Sequence, residues 1–166
     1  TINAAPGAGA IAFTGGSGAV GAAGIGAPAG IRAYGRVANI TINAGSDFTL
    51  HKGATGAQAD AVVGSSTLGG NVIVNAVTVT VGNIALNDGK VLTTGNVTLQ
   101  ATASGGQITQ TTGVVNGALL TTSSNAGTTL GGVNSVASSN ATDSTSGGIT
   151  LNNTGALTIT GLSQSA

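Results

Sequence analysis

Val77-Thr78-Val79-Thr80-Val81 places an aliphatic and a threonine in strict alternation. A repeat of two is the repeat of extended backbone, where successive side chains point to opposite faces. Three valines therefore share one face and two threonines the other. Both residue types branch at Cβ and favour the pleated strand. The same grammar continues outward in both directions. Val37-Ala38-Asn39-Ile40-Thr41-Ile42 and Asp47-Phe48-Thr49-Leu50 lie upstream, and Asn71-Val72-Ile73-Val74 leads into the alternating stretch. Downstream come Ile84-Ala85-Leu86, then Asn87-Asp88-Gly89 as a turn, then Lys90-Val91-Leu92-Thr93. Asn96-Val97-Thr98-Leu99, Gln107-Ile108-Thr109, Ala118-Leu119-Leu120-Thr121, Ile149-Thr150-Leu151 and Ala156-Leu157-Thr158-Ile159-Thr160 follow. No helical segment separates these short runs, so the chain reads as all-β.

Composition narrows the class further. Only eight of 166 residues are charged, four Lys+Arg against four Asp, and the net charge is zero. Phosphate recognition needs clustered Lys and Arg, so nucleic acid is not an expected partner. There is no Cys, which removes disulfides and thiol-based zinc sites. No apolar run reaches the roughly 18 residues of a membrane helix. No basic segment followed by an apolar one marks a signal peptide. Val, Ile, Leu and Phe make up 39 residues, just above the roughly one fifth below which chains stay disordered.

Short strands at this spacing also build antiparallel sandwiches and barrels. Their half-exposed faces carry Lys, Glu, Arg and aromatics, which are scarce here. A stacked solenoid accounts for the composition better. It lays the same position of each coil on the next, where Thr, Asn and Ser hydrogen-bond and like charges would repel. Gly70-Asn71-Val72-Ile73-Val74, Gly95-Asn96-Val97-Thr98-Leu99 and Gly148-Ile149-Thr150-Leu151 share one pattern, glycine then alternating aliphatics. The aliphatics are expected inside the coil and the threonine between them outside. Coils of about 20 residues divide the chain into about eight, a rod on the order of 40 Å long.

The first 36 residues differ. Gly and Ala supply 21 of them. They read as an arm or as irregular first coils, with the solenoid over 37–166. Neither end carries the polar cover that solenoid termini need. The expectation is a piece of a longer rod, or ends that stack on other copies.

The stretch from Gly95 resembles the repeat units of large secreted bacterial exoproteins. It runs through Gly105-Gly106-Gln107-Ile108-Thr109-Gln110 and Asn134-Ser135-Val136 to Gly148-Ile149-Thr150-Leu151-Asn152-Asn153-Thr154-Gly155-Ala156-Leu157-Thr158-Ile159-Thr160-Gly161. These are filamentous-haemagglutinin-like and autotransporter-type adhesins. The resemblance covers about 72 residues well, 37–94 more loosely and the first 36 not at all. It implies a right-handed parallel β-helix, export from a diderm bacterium through an outer-membrane exporter, and a place at the cell surface. Copies of itself, adjoining parts of a longer chain, and host or biofilm glycans are the partners it implies.

Candidate sites are few. Five of the eight charges fall between positions 32 and 60, as Arg32, Arg36, Asp47, Lys52 and Asp60, with Tyr34 and His51 among them. They read as an interaction patch, or as a solvated loop whose ion pairs contribute about 0–1 kcal/mol each. His51 as a general base lacks a recognisable nucleophile motif, and four scattered Asp (47, 60, 88, 143) make no carboxylate pair for glycoside hydrolysis. The Gly-rich turns lack the Asp of calcium-binding repeats, and Gly16-Ser17-Gly18-Ala19-Val20-Gly21 has no helix after it to cradle a dinucleotide. No enzyme, cofactor or metal is expected. Thr78 with Thr80, and Thr158 with Thr160, form Thr-X-Thr pairs on one face, as in ice- or glycan-binding surfaces. Outward threonine is also simply the commonest uncharged strand former. The leading expectation is a structural segment or subunit of an extracellular bacterial fibre or adhesin, self-associating through its ends and its N-terminal arm. The alternative is an ice- or glycan-binding solenoid module.

Overall fold

The computed structural model describes residues 2–3, 11–14, 29–31, 37–51, 61–64 and 73–165. Within them every regular element is a strand, and every strand pair is parallel. In chain order these are β1 (Ile2–Asn3), β2 (Ile11–Thr14), β3 (Ala29–Ile31), β4 (Val37–Asn43), β5 (Asp47–His51) and β6 (Ala61–Gly64). Then come β7 (Ile73–Val81), β8 (Asn83–Asn87), β9 (Lys90–Leu92), β10 (Asn96–Ala101) and β11 (Ile108–Gln110). β12 (Val114–Ser124), β13 (Thr128–Asp143), β14 (Ile149–Asn153) and β15 (Thr158–Gln164) complete the series.

Pairing arranges them as a three-faced β-solenoid. The first face stacks β1, β4, β7, β10, the second half of β12, the last part of β13, and β15. The second stacks β2, β5, β8, β11, the start of β13, and β14. The third stacks β3, β6, β9, the start of β12 and the middle of β13. Four turns can be followed through all three faces, from β4 to the middle of β13.

An even division into about eight coils does not hold, because the step between levels changes. On the first face Ile42 pairs with Ile2 and Val79 with Ile42, steps of 40 and 37 residues. Leu99 then pairs with Val79, a step of 20, and later steps stay near that length. Strand length also departs from the short runs read in the sequence. β12 has 11 residues and β13 has 16, because both keep extended backbone through corners. β13 alone pairs on all three faces. Of the first 36 residues, β1, β2 and β3 lie in these stacks against β4, β5 and β6. The rest of the expected arm lies outside the described residues.

The core follows from the alternation. Val77, Val79 and Val81 are fully buried, while Thr78 and Thr80 lie between them on the outer side. Burying each aliphatic side chain contributes roughly 1.5–3 kcal/mol. Val97 and Leu99 are buried around outward Thr98, as the repeat pattern predicts. Inner rows run level on level. One joins Ile40, Val77, Val97, Leu120, Ser139 and Ile159, and another Ile42, Val79, Leu99, Thr122, Ala141 and Leu162. Towards the last levels these rows turn small and polar, and Thr122, Ser139, Asn134 and Asp143 are buried. The corner before β12 uses Gly113 at φ 81°, where a Cβ would lie 2.2 Å from the Gly89 carbonyl oxygen of the preceding level. Only glycine lets two turns stack that closely.

Candidate functional site

A regular surface lies on the outer side of the first face. Register places its side chains in three columns. The central one runs Thr41, Thr78, Thr98, Thr121, Asn140 and Gly161. On one side lie Asn39, Ala76, Asn96, Leu119, Ser138 and Thr158, and on the other Asn43, Thr80, Gln100, Ser123, Thr142 and Ser163. Neighbouring levels sit about 4.8 Å apart and neighbouring columns about 6.7 Å. None of these positions is charged. Hydrogen bonds tie the levels together, Thr80 Oγ1 donating to Gln100 Oε1 at 3.0 Å and Ser138 Oγ to the Ala118 carbonyl at 3.1 Å.

The expected Thr pairs divide over this surface. Thr78 joins Thr41, Thr98 and Thr121 in four consecutive levels, and Thr80 lies in the next column. Thr158 occupies the opposite outer column. Thr160 does not extend the array. It sits where the register shifts between Ser139 and Asn140, and its hydroxyl bonds back to the Ser139 carbonyl at 3.0 Å. A second threonine column lies on the second face, where exposed Thr109, Thr129 and Thr150 follow one another. Pairs within one strand were visible in the sequence, whereas columns across strands require the register.

Of the charged patch, Arg32, Tyr34, Arg36, Lys52 and Asp60 lie outside the described residues. Asp47 and His51 stand at the two ends of β5 and are exposed. Each reaches the next level rather than the other. Asn83 Nδ2 donates to Asp47 Oδ1 at 2.8 Å. His51 Nδ1 lies 2.6 Å from Asp88 Oδ1, with the imidazole 52% exposed and Asp88 16%. Asp88 was not singled out as a partner from the sequence. Its signal was the distance of 37 residues, the same as the step from Ile42 to Val79. This pair clasps two coils. No group of three His or acidic residues among the described residues gathers to hold a metal ion.

A second feature lies at the last level. Ile159 and Leu162 are 58% and 67% exposed, although their rows are buried from Ile40 and Ile42 to Ser139 and Ala141. They line a groove of about 190 Å³ with Ser139, Ala141, Ile149 and Leu151. No family model matches the chain, and no curated protein or solved structure matches it at a meaningful level.

Proposed function

We propose that the chain is a structural segment or subunit of an extracellular bacterial surface fibre or adhesin. The observation that supports this reading is the level-on-level stacking of uncharged columns, mostly Thr, Asn and Ser, over rows that are aliphatic at the earlier levels. Such a stack is extended by adding levels, and each level brings its own backbone pairing. The work of the molecule is mechanical: it holds a stiff, compact rod away from the cell. Stacked parallel strands leave few backbone groups open to a protease, which suits a surface location. An outer-membrane exporter would deliver the chain, and glycans of the host or of a biofilm would meet its outer faces. A right-handed winding, the hand of the resembled exoproteins, belongs to this reading. Antibody against the chain should label intact cells of the producing organism. Label confined to lysed cells would sink the proposal.

The column Thr41, Thr78, Thr98 and Thr121 favours a second reading, a binding module whose first face meets an ordered neutral surface such as ice or a polysaccharide. Freezing-point hysteresis and glycan-array binding test it. Both signals should fall when Thr98 is replaced by Tyr, which breaks the flat column. Null results in both assays with the unmodified chain remove the reading.

A further inference from the structure

Resting on the surface reading, we propose that the first face carries sugars bonded covalently to the side-chain amides of Asn39, Asn96 and Asn140. Each of these asparagines has a threonine two residues on, in Asn39-Ile40-Thr41, Asn96-Val97-Thr98 and Asn140-Ala141-Thr142. Asn-X-Thr, with X other than proline, is the acceptor triplet of N-linked glycosylation. A chain rich in Asn and Thr forms such triplets freely, and three structural observations single out these sites. The first is direction. The strand period of two turns X inward and both acceptor residues outward. Ile40, Val97 and Ala141 are buried, while Asn39, Asn96 and Asn140 are exposed.

The second observation is the state of the amide. Asn83, Asn125 and Asn153 use Nδ2 to tie levels together, donating to Asp47 Oδ1 at 2.8 Å, the Ala103 carbonyl at 2.7 Å and the Val136 carbonyl at 3.1 Å. The amides of Asn39, Asn96 and Asn140 make no side-chain hydrogen bond to any described residue. A sugar on these three nitrogens therefore breaks no contact of the fold. A fourth triplet, Asn152-Asn153-Thr154, lies off this face, and Asn152 Nδ2 is turned to the Gly131 carbonyl at 3.5 Å. The third observation is spacing. The three sites lie on β4, β10 and the last part of β13, which are the first, third and fifth levels from β4. The levels between hold Ala76 and Leu119 in the column of Asn39 and Asn96. Sugars on consecutive sites thus stand at least two strand spacings apart, about 9.6 Å.

The donor is a sugar whose anomeric carbon is bonded to a diphosphate, carried on a nucleotide or on a lipid. The asparagine Nδ2 bonds to that carbon, and the carbon–oxygen bond to the diphosphate breaks. The diphosphate leaves with the electron pair, and Nδ2 gives one proton to a base of the transferring enzyme. In the strand the acceptor asparagine and its threonine stand about 6.7 Å apart. A bent backbone that joins amide and hydroxyl is closed to strands paired on both sides, as β4, β10 and β13 are. Transfer therefore precedes stacking, and the finished rod holds its sugars outward. Bulky hydrated sugars solubilise a surface. They supply here the separation between rods that a net charge of zero does not.

Mass spectrometry of the chain recovered from its producing organism, denatured and digested, tests the proposal. Peptides containing Asn39, Asn96 and Asn140 are expected to exceed their sequence masses by whole sugar units. Single sugars indicate a nucleotide donor and one fixed oligosaccharide a lipid donor, and either supports the proposal. Thr98→Ala, expressed in the same organism, should remove the sugar from Asn96 alone, and Thr98→Ser should keep it. Circular dichroism identical to the parent chain confirms that both variants fold. All three peptides at their sequence masses overturn the proposal, while antibody labelling of intact cells decides the surface reading separately. Asn75 is exposed but has Val77 in place of the threonine. Sugar on Asn75 as often as on Asn96 overturns the role of the triplet, as does sugar kept on Asn96 in Thr98→Ala.

Discussion

His51 Nδ1 and Asp88 Oδ1 lie 2.6 Å apart, across one coil and 37 residues of chain. An ionised carboxylate can only accept, so the imidazole donates from Nδ1 and presents Nε2 outward. The contact fastens the end of β5 to the turn after β8. With the imidazole half exposed, the pair is screened by water and contributes little. Asp88→Ala is therefore expected to lower stability by about 0.5 kcal/mol. Urea denaturation should show this difference shrinking in high salt. A much larger loss would give the clasp a role in setting the coil.

Asn134 should behave in the opposite way. It is fully buried, and its Oδ1 accepts the Val115 N–H at 2.8 Å from the level before. Its Nδ2 donates to Gln110 Oε1 at 3.0 Å and to the Asn152 carbonyl at 3.0 Å on the level after. One side chain thus stitches three levels at a corner. Asn153, its register partner, repeats the device by accepting from Val136 N–H at 2.9 Å. Asn134→Leu fills the space but leaves the buried Val115 N–H without an acceptor, and is expected to cost about 2–3 kcal/mol. Asn134→Asp keeps the acceptor while turning a carboxylate oxygen on the carbonyls, so it should be no better. A fall in the urea midpoint with unchanged slope is the expected readout; a neutral Asn134→Leu would dismiss the stitch.

What the sequence conveyed and what it concealed divide along physical lines. The alternation in Val77–Val81 and Val97-Thr98-Leu99 specified strand, face and burial, because period two admits no other regular structure. Parallel stacking was legible from the shortage of charge, since no other sheet arrangement repeats a position on itself so often. The level count was not legible, because extra length between strands leaves the strand pattern intact. Steps of 37 and 40 residues near the start look like the later steps of about 20 until the register is known. The polar interior was concealed too. Asn134 stood in the sequence only as part of a repeat element and Asp143 as one of four scattered Asp, and only corner geometry makes them core. The His51–Asp88 pair was concealed for the same reason as the level count.

Asp143 is an acidic residue in the interior. It is fully buried, its Oδ1 accepts from Gly127 N–H at 3.0 Å and from Ser124 Oγ at 3.2 Å, and its Oδ2 has no partner. Asp143→Ala removes an acceptor from a buried backbone donor and is expected to cost about 2–3 kcal/mol. Asp143→Asn keeps one acceptor oxygen and removes the ionisable group. It is expected to be clearly the milder of the two, within about 1 kcal/mol of the parent chain. Equal losses for the two variants, measured by thermal and urea unfolding, would mean that the oxygen facing Gly127 contributes nothing.

The shortage of charge itself can be tested on the central threonine column. Thr78, Thr98 and Thr121 occupy successive levels about 4.8 Å apart. A single Thr98→Glu places one carboxylate among neutral neighbours, and a surface change of this kind is expected within about 0.5 kcal/mol of the parent. The triple variant Thr78→Glu, Thr98→Glu and Thr121→Glu creates two adjacent like-charge pairs. Each pair is worth about 1 kcal/mol of repulsion at that separation even in water. The triple variant should therefore lose about 2 kcal/mol more than the three single losses combined. High salt should recover most of the excess, because at about 1 M the screening length falls to roughly 3 Å, below the spacing of these surface charges. Additive losses, unaffected by salt, would show that stacking does not exclude charge from this chain and that its scarcity has another origin.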